Sequence, residues 1–243
     1  MIKKATDKIN LSGVSSPLLP LIYCDFSFNS GDSEGVYFQY NENDEITAVF
    51  SLRNGCITLA GISDSDISEL FMFFEFAGVS EVLSDFMLDD SCEELPLLKA
   101  SARCVSTSDI SFLNVTSTLG EYQSVYKLLS ECGDNFPCWY SVFSKKINSS
   151  FACGAYKKDN GLIVSTATAT AIYEKTAVIS GVFTDSLCRG KGYATECVEA
   201  LINKLYHQNV SNILLWCEED KIPFYTKIGF NVSGRIYFEK GIK

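Results

Sequence analysis

The chain has 243 residues, of which 47% are hydrophobic and 21% charged. This apolar content is enough for a packed core and excludes a disordered or fibrous protein. With 20 basic and 30 acidic residues, the formal net charge is −10 and the sequence pI is about 4.7. Because this charge repels nucleic-acid backbones and anionic membrane surfaces, we expect neither as a partner, whereas a cationic substrate such as an amine is tolerated.

The first half of the chain alternates short apolar runs with turn residues. The stretch up to residue 30 is rich in Ser and Pro and predicts irregular structure. The elements that follow are strands over 36–40, 46–51 and 56–60, a helix over 64–77, and a segment over 81–86 that could return to the sheet. Asn54-Gly55 between two apolar runs predicts a hairpin. The acidic stretch 89–94 and Pro96 then interrupt the pattern and predict a boundary near residue 100.

The second half has a similar order of elements. These are a helix over 121–132, β-rich segments over 151–156, 162–172 and 176–184, a helix over 193–206, a strand over 213–217, a short helix over 223–228 and a strand over 235–240. Asp159-Asn160-Gly161 is the predicted turn between the first two β-rich segments. Both halves pair a three-strand meander with a following helix, which allows an internal duplication although no residue-level repeat is visible. We therefore expect an N-terminal α/β region over 1–105 and a second domain over 106–243.

Ten cysteines are scattered along the chain without a Cys-x-x-Cys pair. Most have apolar neighbours, as Cys197 and Cys217 do, which is typical of small buried hydrophobes in a reducing cytoplasm. His207 is the only histidine, so we expect no metal site and no Ser-His-Asp or Cys-His catalysis. The apolar runs 18–24 and 70–76 fall far short of the roughly 20 residues that a membrane span needs, and neither has the features of a targeting segment.

The residues that carry chemistry follow the β-rich run that ends at Thr184. There, Arg189-Gly190-Lys191-Gly192 leads into the helix predicted to start at residue 193. Free amides at a helix N-terminus, together with the positive end of its dipole, bind an anion. Gly190 and Gly192 let the backbone approach phosphate oxygens, where a Cβ would intrude. Since Arg189 and Lys191 add positive charge, the loop predicts a pyrophosphate-binding site.

Two familiar phosphate-binding patterns do not fit this loop. The Walker pattern needs Ser or Thr after Gly-Lys, and Lys191 is followed by Gly192. The dinucleotide fingerprint needs a third glycine where this chain has Thr195. The loop does match Arg/Gln-x-x-Gly-x-Gly/Ala, the acyl-CoA signature of the GNAT N-acetyltransferase superfamily, through Arg189, Gly192 and Ala194.

A second motif carries the same resemblance. Residues 223–230, Pro-Phe-Tyr-Thr-Lys-Ile-Gly-Phe, resemble the C-terminal Phe-Tyr-x-Lys-x-Gly-Phe box of that superfamily. The stretch 182–230 is similar to the glycine N-acyltransferase-like branch in particular. The resemblance implies a GNAT fold of the α/β (α+β) class, with a mixed, mostly antiparallel central sheet flanked by helices. The N-terminal half would be a degenerate GNAT-like region, since the two aspartates in 61–66 oppose a pyrophosphate.

The resemblance also implies acetyl-CoA as the co-substrate and a set of residues that bind it. These are Val182, Phe183 and Thr184 along the pantetheine arm, and Arg189, Gly190, Lys191, Gly192, Tyr193, Ala194 and Thr195 around the diphosphate. In this family the fourth strand of the domain splays from the fifth, and its backbone amides polarise the thioester carbonyl. The acceptor amine attacks that carbonyl directly, and coenzyme A leaves as a thiolate.

The resemblance places the acid at Tyr225, because an ordinary tyrosine with a pKa of about 10 stays protonated at neutral pH and can donate to the thiolate. A packing tyrosine is the alternative. Glu218 stands where many relatives carry Asn, so an acidic group there could contact the acceptor amine. The general base is open between Glu174, Asp185, Glu218 and a chain of waters. A cysteine-linked intermediate is disfavoured, since nothing in the sequence activates Cys188 or Cys217.

The leading hypothesis is therefore a cytoplasmic N-acetyltransferase that acts on a primary amine of a small molecule or amino-acid-like acceptor. Two alternatives stay open, a non-catalytic acyl-CoA-binding or sensor module and a peptide N-terminal acetyltransferase. The sequence leaves the acceptor, the acyl length and the oligomeric state open, with a homodimer as one option.

Overall fold

The chain divides into two compact units. The structure, a computed structural model, describes residues 1–5, 11, 14–28, 34–101, 109–129 and 135–241. Unit 1 comprises Met1–Leu97, Trp216–Glu219 and Ser233–Lys243, and unit 2 comprises Leu98–Leu215 and Asp220–Val232. The boundary predicted between residues 105 and 106 lies outside the described residues, so that division into domains stays a prediction.

Twelve strands and six α-helices are formed by the described residues. Up to residue 101 they are β1 (Ile2–Lys4), α1 (Leu19–Phe28), β2 (Gly35–Tyr40), β3 (Ile46–Arg53), β4 (Cys56–Gly61), α2 (Ile67–Phe76), β5 (Glu81–Ser84) and β6 (Glu93–Ala100). From residue 109 they are β7 (Ile110–Phe112), α3 (Leu119–Leu128), α4 (Phe136–Asn148), β8 (Cys153–Asp159), β9 (Leu162–Tyr173), β10 (Thr176–Thr184), α5 (Tyr193–His207), β11 (Asn212–Trp216), α6 (Ile222–Ile228) and β12 (Phe230–Lys240).

Unit 1 is built on a mostly antiparallel sheet. Strands β1 to β4 pair antiparallel in chain order, β5 runs parallel to β4, and β12 runs antiparallel to β5. Asn54 and Gly55 have φ angles of 49° and 74°, which confirms the predicted hairpin turn between β3 and β4. Helix α2 buries Leu70 and Phe74 in a core that includes Phe50 of β3. The predicted helix is thus confirmed with slightly shorter bounds.

Unit 2 has the same kind of sheet. Strands β7 to β10 pair antiparallel in chain order, and β11 runs parallel to β10. Asn160 and Gly161 turn β8 into β9 with φ angles of 49° and 81°, as predicted. Helix α5 packs on β8, β9 and β10 through a buried face that includes Cys197, Leu201 and Leu205. Helical spacing in the sequence predicts this same face.

Each unit repeats one order of elements. Three antiparallel strands, a helix and a strand parallel to the third strand occur as β2-β3-β4-α2-β5 in unit 1 and as β8-β9-β10-α5-β11 in unit 2. The paired order of elements expected from the sequence is therefore present. The mixed, mostly antiparallel arrangement with flanking helices confirms the predicted fold class.

The prediction of irregular structure up to residue 30 is wrong. Strand β1 pairs with β2, and α1 buries Ile22 and Cys24. Pro20 is the second residue of α1, where the missing N–H costs no intrahelical hydrogen bond. Proline therefore starts this helix rather than breaking it.

Pro96 does not interrupt the strand pattern as predicted, because β6 runs through it, although the two units divide between Leu97 and Leu98, close to the boundary predicted near residue 100. Proline cannot donate a hydrogen bond, but its carbonyl still accepts one, here from the Cys217 amide at 3.4 Å. Two further elements, β7 and α4, have no counterpart among the predicted ones.

The cysteines are less buried than the sequence predicts. Of the eight that the structure describes, Cys24, Cys153 and Cys197 are buried, Cys56 and Cys138 are exposed, and the others, including Cys217, are half-buried. No helix among the described residues is both long and apolar enough to span a bilayer.

Candidate active site

The strand that precedes the predicted anion-binding loop separates from its neighbour. The ladder between β10 and β11 comprises Thr176–Asn212, Ala177–Ile213 and Val178–Leu214, whereas β10 continues to Thr184. From Ile179 on, β11 therefore does not cover this edge of β10. The edge carries backbone amides that can donate to a ligand, as the sequence resemblance implies for a thioester carbonyl.

A β-bulge lies in the uncovered part of β10. Between Ser180–Thr168 and Phe183–Thr166, β10 advances by three residues and β9 by two, so one extra residue is inserted. Gly181 in the bulge has a φ of 66°, and a Cβ there would lie 2.7 Å from both Leu129 Cδ2 and Thr168 Oγ1. The bulge thus requires glycine for its conformation and for space. An isolated glycine within a β-rich run is the sequence signal that could have indicated this bulge.

Hydroxyl groups of β9 hold the bulge in place. Thr168 Oγ1 donates to the Ser180 carbonyl at 2.6 Å, and Ser165 Oγ donates to the Phe183 carbonyl at 3.0 Å. Ser165 Oγ also lies 2.8 Å from Thr184 Oγ1. These contacts fix the backbone that carries the predicted thioester-binding residues. The side chain of Phe183 packs against an aromatic cluster formed by α3 and α4, on the face of the strand opposite to that of its neighbours in sequence.

The loop after β10 leads to an uncapped helix. Asp185 caps a short 3₁₀ turn over Ser186–Cys188 by accepting from the Leu187 amide at 2.9 Å, and Arg189 Nε donates to the Thr184 carbonyl at 3.2 Å. Gly192 is the N-cap residue of α5 and makes no side-chain cap hydrogen bond. The amides of the first turn of α5 therefore remain available for an anion.

The two loop glycines are needed for their backbone conformation. Gly190 and Gly192 have φ angles of 77° and 83°, a region that other residues rarely adopt. Apart from the glycine and its chain neighbours, no atom of the described residues lies within 4 Å of where a Cβ would stand at either position. The sequence argument that a Cβ would intrude on a phosphate concerns the ligand alone and stays a prediction.

The charges around the loop are partly compensated by Asp159 at the end of β8. Tyr193 Oη donates to Asp159 Oδ2 at 3.0 Å, and Lys191 Nζ lies 3.4 Å from the same oxygen. The Tyr193 hydroxyl and Lys191 lower the pKa of Asp159, and Asp159 raises the pKa of Lys191. The sequence marks Asp159 only as a turn residue, so this contact comes from the hairpin that places the end of β8 beside α5.

A second ion pair lies on the first turn of α5. Lys157 Nζ is 2.8 Å from Glu196 Oε2, and the Lys157 ammonium is also 5.7 Å from the centre of the Tyr193 ring. Lys191 lies at the same distance, 5.7 Å, from that ring. Of the three cations near the start of α5, Lys157 and Lys191 are paired with carboxylates, and Arg189 donates to a backbone carbonyl.

Tyr225 lies on α6 and is half-buried. Its ring is 5.0 Å from that of Phe224 and 5.6 Å from that of Phe230, both edge-on. These aromatic contacts restrain the ring while the residue stays partly accessible. The helix ends at Ile228 and is followed by Gly229, whose φ of 104° gives a left-handed C-cap.

The candidate general bases differ in their position relative to the loop and to Tyr225. Glu218 is exposed and belongs to the segment Trp216–Glu219 of unit 1, whereas Tyr225 belongs to unit 2. Glu174 lies in the turn before β10, so the length of that strand, about 26 Å at roughly 3.3 Å per residue, separates it from the loop. Asp185 is engaged in its 3₁₀ cap. Glu174 is therefore too distant to act as the base.

Cys197, on the buried face of α5, is not activated as a nucleophile. Burial raises the pKa of the Cys197 thiol to about 12, so it is protonated at neutral pH. In unit 1, Asp89, Cys92 and Glu239 bring ligand-type atoms within 4.8 Å of one another, an arrangement that the sequence does not predict. Burial raises the pKa of the Cys92 thiol as well.

Residues 122–230 match the model of the acetyltransferase (GNAT) family. This region contains both the loop before α5 and Tyr225. Comparison with curated proteins finds no match.

Several solved structures share the fold. A GCN5-related N-acetyltransferase from Sphaerobacter thermophilus has 14% identity and a TM-score of 0.63, over 90% of this chain and 84% of that chain. An acetyltransferase of the GNAT family from Colwellia psychrerythraea has 13% identity and a TM-score of 0.58, over 99% of this chain and 100% of that chain. A GCN5-related N-acetyltransferase-like protein from Streptococcus suis has 12% identity and a TM-score of 0.56, over 87% and 90%. The family model thus matches the part of the chain, less than half of it, that contains the loop before α5 and Tyr225, and the likeness to these solved structures shows a common fold.

Proposed function

We propose that the protein is an N-acetyltransferase that transfers an acetyl group from acetyl-CoA to a primary amine of a small or amino-acid-like molecule. The observation that carries this proposal is the uncapped N-terminus of α5 next to the part of β10 that β11 does not cover. An uncapped helix start suits a diphosphate, and an uncovered strand edge suits the amide-like pantetheine arm. In coenzyme A the pantetheine arm is joined directly to the diphosphate.

The loop residues then have distinct roles. The amides of Tyr193, Ala194 and Thr195 bind the diphosphate, with Arg189 and Lys191 as cations beside it. Gly190 and Gly192 supply the left-handed backbone that turns those amides towards the ligand. The Asp159 contact holds Lys191 and Tyr193 in place before the ligand arrives.

The β10 residues act on the reacting end. The amides along 182–184 donate to the thioester carbonyl, and the hydroxyls of β9 that fix the bulge keep these amides aimed at it. Such preorganised donors stabilise the negative charge that develops on the carbonyl oxygen when the amine attacks.

The transfer itself is a direct displacement. The amine nitrogen forms a bond to the carbonyl carbon, the carbon–sulfur bond breaks, and the sulfur takes a proton from Tyr225. The proton lost by the amine passes to water or to a carboxylate, for which Glu218 is our candidate. The box around Tyr225 also supports the glycine N-acyltransferase-like branch, and the cytoplasm remains the expected location.

The test combines binding and turnover. Calorimetry with coenzyme A and acetyl-CoA should show one binding site, and mass spectrometry should show an acetylated amine from a panel of primary amines. Mass detection of the product is preferable to a thiol reagent, because the chain has ten cysteines of its own. Binding without product over the whole panel would favour the acyl-CoA sensor, and acetylation of peptides alone would favour the peptide N-terminal enzyme. Absence of any coenzyme A binding would contradict the proposal.

A further inference from the structure

A cavity of about 170 Å³ opens on the face of β9 and β10 that α3 and α4 cover. Its wall is formed largely by Leu129, Trp139, Phe143 and Phe183. Trp139 and Phe143 stack with their ring centres 4.7 Å apart, which gives the cavity a flat aromatic side. None of the described residues that line it carries a charge.

The few polar groups of the cavity are engaged by the protein. Thr168 Oγ1 donates to the Ser180 carbonyl at 2.6 Å, and Ser180 Oγ donates to Thr170 Oγ1 at 3.1 Å. A polar ligand group would have to compete with these contacts, and a charged group would lose its hydration against the aromatic wall. The cavity therefore suits an uncharged, apolar group.

The volume restricts the size of that group. An engineered protein cavity of about 150 Å³ lined by aliphatic and aromatic side chains binds benzene and stays free of water. A cavity of about 170 Å³ thus accepts one aromatic ring or a branched alkyl group.

The cavity and the proposed reaction site share one stretch of backbone. Ser180, Gly181 and Phe183 line the cavity, and the amides along 182–184 are those assigned to the thioester carbonyl. A group bound in the cavity consequently lies against the same segment of β10 that carries these amides. The acidic charge of the chain attracts the amine, and the cavity then selects among amines by their apolar part.

We propose that this cavity binds the apolar substituent of the acceptor, so that the preferred substrates are primary amines with an aryl or branched alkyl group about as large as a benzene ring. This inference rests on the proposed acetyl transfer. The inference names the class of acceptor amine, which the loop before α5 and Tyr225 do not specify.

The direct test measures occupancy without turnover. Trp139 lines the cavity, and Trp216 is the other tryptophan of the chain. In a Trp216→Phe variant, 2-phenylethylamine should change the emission of Trp139 in a saturable way, whereas ethanolamine at the same concentration should not. A response to phenylethylamine without acetylation of any amine would uphold the cavity and refute the proposed function. Acetylation of small polar amines without any change in Trp139 emission would uphold the proposed function and refute the role of the cavity.

The kinetic test compares ratios of kcat/KM. We expect wild-type protein to prefer 2-phenylethylamine over ethanolamine by at least about 10-fold, the scale of one buried apolar group. Ser180→Leu should bring this ratio close to one by filling the cavity, whereas Ser180→Ala should keep it. Ser149→Leu, an exposed position at the end of α4, is the matched control and should keep the ratio as well.

Two further results would overturn the inference. One is equal kcat/KM for both amines in the wild type. The other is a Ser180→Leu variant that changes selection among acyl-CoA chain lengths but not among amines, since the cavity would then serve the acyl group. If Ser180→Leu does not fold, Phe143→Leu enlarges the cavity instead and should shift the preference towards naphthyl amines, and an unchanged preference contradicts the proposal.

Discussion

The two units share an order of elements but differ at the start of the helix that follows the third strand. In unit 1, the side chain of Asp66 caps α2 by accepting from the Glu69 amide at 3.0 Å. In unit 2, Gly192 occupies the same position before α5 and offers no side chain. One helix start is therefore closed by a carboxylate of its own chain, and the other is open to a ligand.

The strands that precede these helices, β4 and β10, also differ: the end of β4 is closed by a carboxylate, and the end of β10 is open. In unit 1, Asp85 follows β5, and its Oδ1 accepts from the Gly61 amide at the end of β4 at 2.8 Å. In unit 2, β10 continues for six residues beyond its ladder with β11, from Ile179 to Thr184. The comparison teaches that the order of elements does not by itself make a binding site. A cap and one carboxylate are enough to close it.

A further difference between the units is α6, because residues 85–92, which follow β5 in unit 1, form no helix. This helix carries Tyr225, and we expect the largest effect there. Tyr225→Phe should lower kcat by about 100-fold or more if the hydroxyl protonates the leaving thiolate, with little change in coenzyme A affinity. Tyr206→Phe is the matched control, since its hydroxyl donates to the Ala100 carbonyl at 3.3 Å at the other end of α5. A Tyr225→Phe enzyme as fast as the control would remove Tyr225 from the acid role.

The next effect tests the open helix start by closing it. Gly192→Asp places a carboxylate where unit 1 has Asp66, and should weaken coenzyme A binding by at least about 100-fold through repulsion of the diphosphate. Gly192→Asn has the same shape without the charge and tolerates a left-handed backbone, so we expect a loss below about 10-fold. Calorimetry measures both. Equal affinities for the two variants would mean that charge at the helix start does not matter.

The sequence predicted the loop and the buried face of α5 because both depend on local pattern. Helical spacing identifies Cys197 and Leu201, and the positive-φ glycines stand between a strand and a helix. The isolated Gly181 could have indicated the β10 bulge, whereas the Asp159 contact depends on the register between strands, which no local pattern encodes.

Two helices, α1 and α4, were missed for different reasons. Helix α1 is apolar nearly throughout and buries residues on several faces, so it lacks a periodic signal. Helix α4 buries Lys146 along with Phe143 and Ile147, and the Lys146 ammonium donates to the Thr170 carbonyl at 3.4 Å. The large apolar residues at 136, 139, 143 and 147 nevertheless recur at helical spacing, so the sequence carries a signal for α4. The cavity beside α4 depends on packing between elements, which the sequence pattern does not give.

A smaller effect concerns how unit 2 is held together. Glu121 caps α3, accepts from Tyr156 Oη at 2.8 Å and lies 3.1 Å from Lys158 Nζ. Hydrogen bonds from the Thr118 amide, Tyr156 and Lys158 lower the pKa of Glu121 to about 2. The stabilisation is present above the ordinary pKa of about 4.5 and is lost as the pH falls towards 2.

Glu121→Gln should therefore lower the free energy of unfolding by about 1–2 kcal/mol at pH 7, after allowance for solvent screening, and by nothing near pH 2. Helix α1 of unit 1 lacks such a carboxylate, since it has no acidic residue in its first turn. Urea unfolding as a function of pH measures the difference. Burial and the Glu121 carboxylate raise the pKa of Tyr156 to about 12, so its ultraviolet titration should move to lower pH in the variant. A variant as stable as wild type at pH 7 would refute this account.

The smallest effect lies in unit 1, where Asp85 closes the end of β4. Burial raises the pKa of Asp85, so its charge costs stability as the pH rises above the ordinary value of 3.8. Asp85→Asn keeps an oxygen for the Gly61 amide and removes the charge. It should raise the free energy of unfolding at pH 7 by about 0.5 kcal/mol or less, with no gain at pH 3. Coenzyme A affinity should stay unchanged, because unit 1 remains closed. A variant that is less stable than wild type at pH 7 would show that the hydrogen bonds of the Asp85 carboxylate stabilise the fold by more than its burial costs.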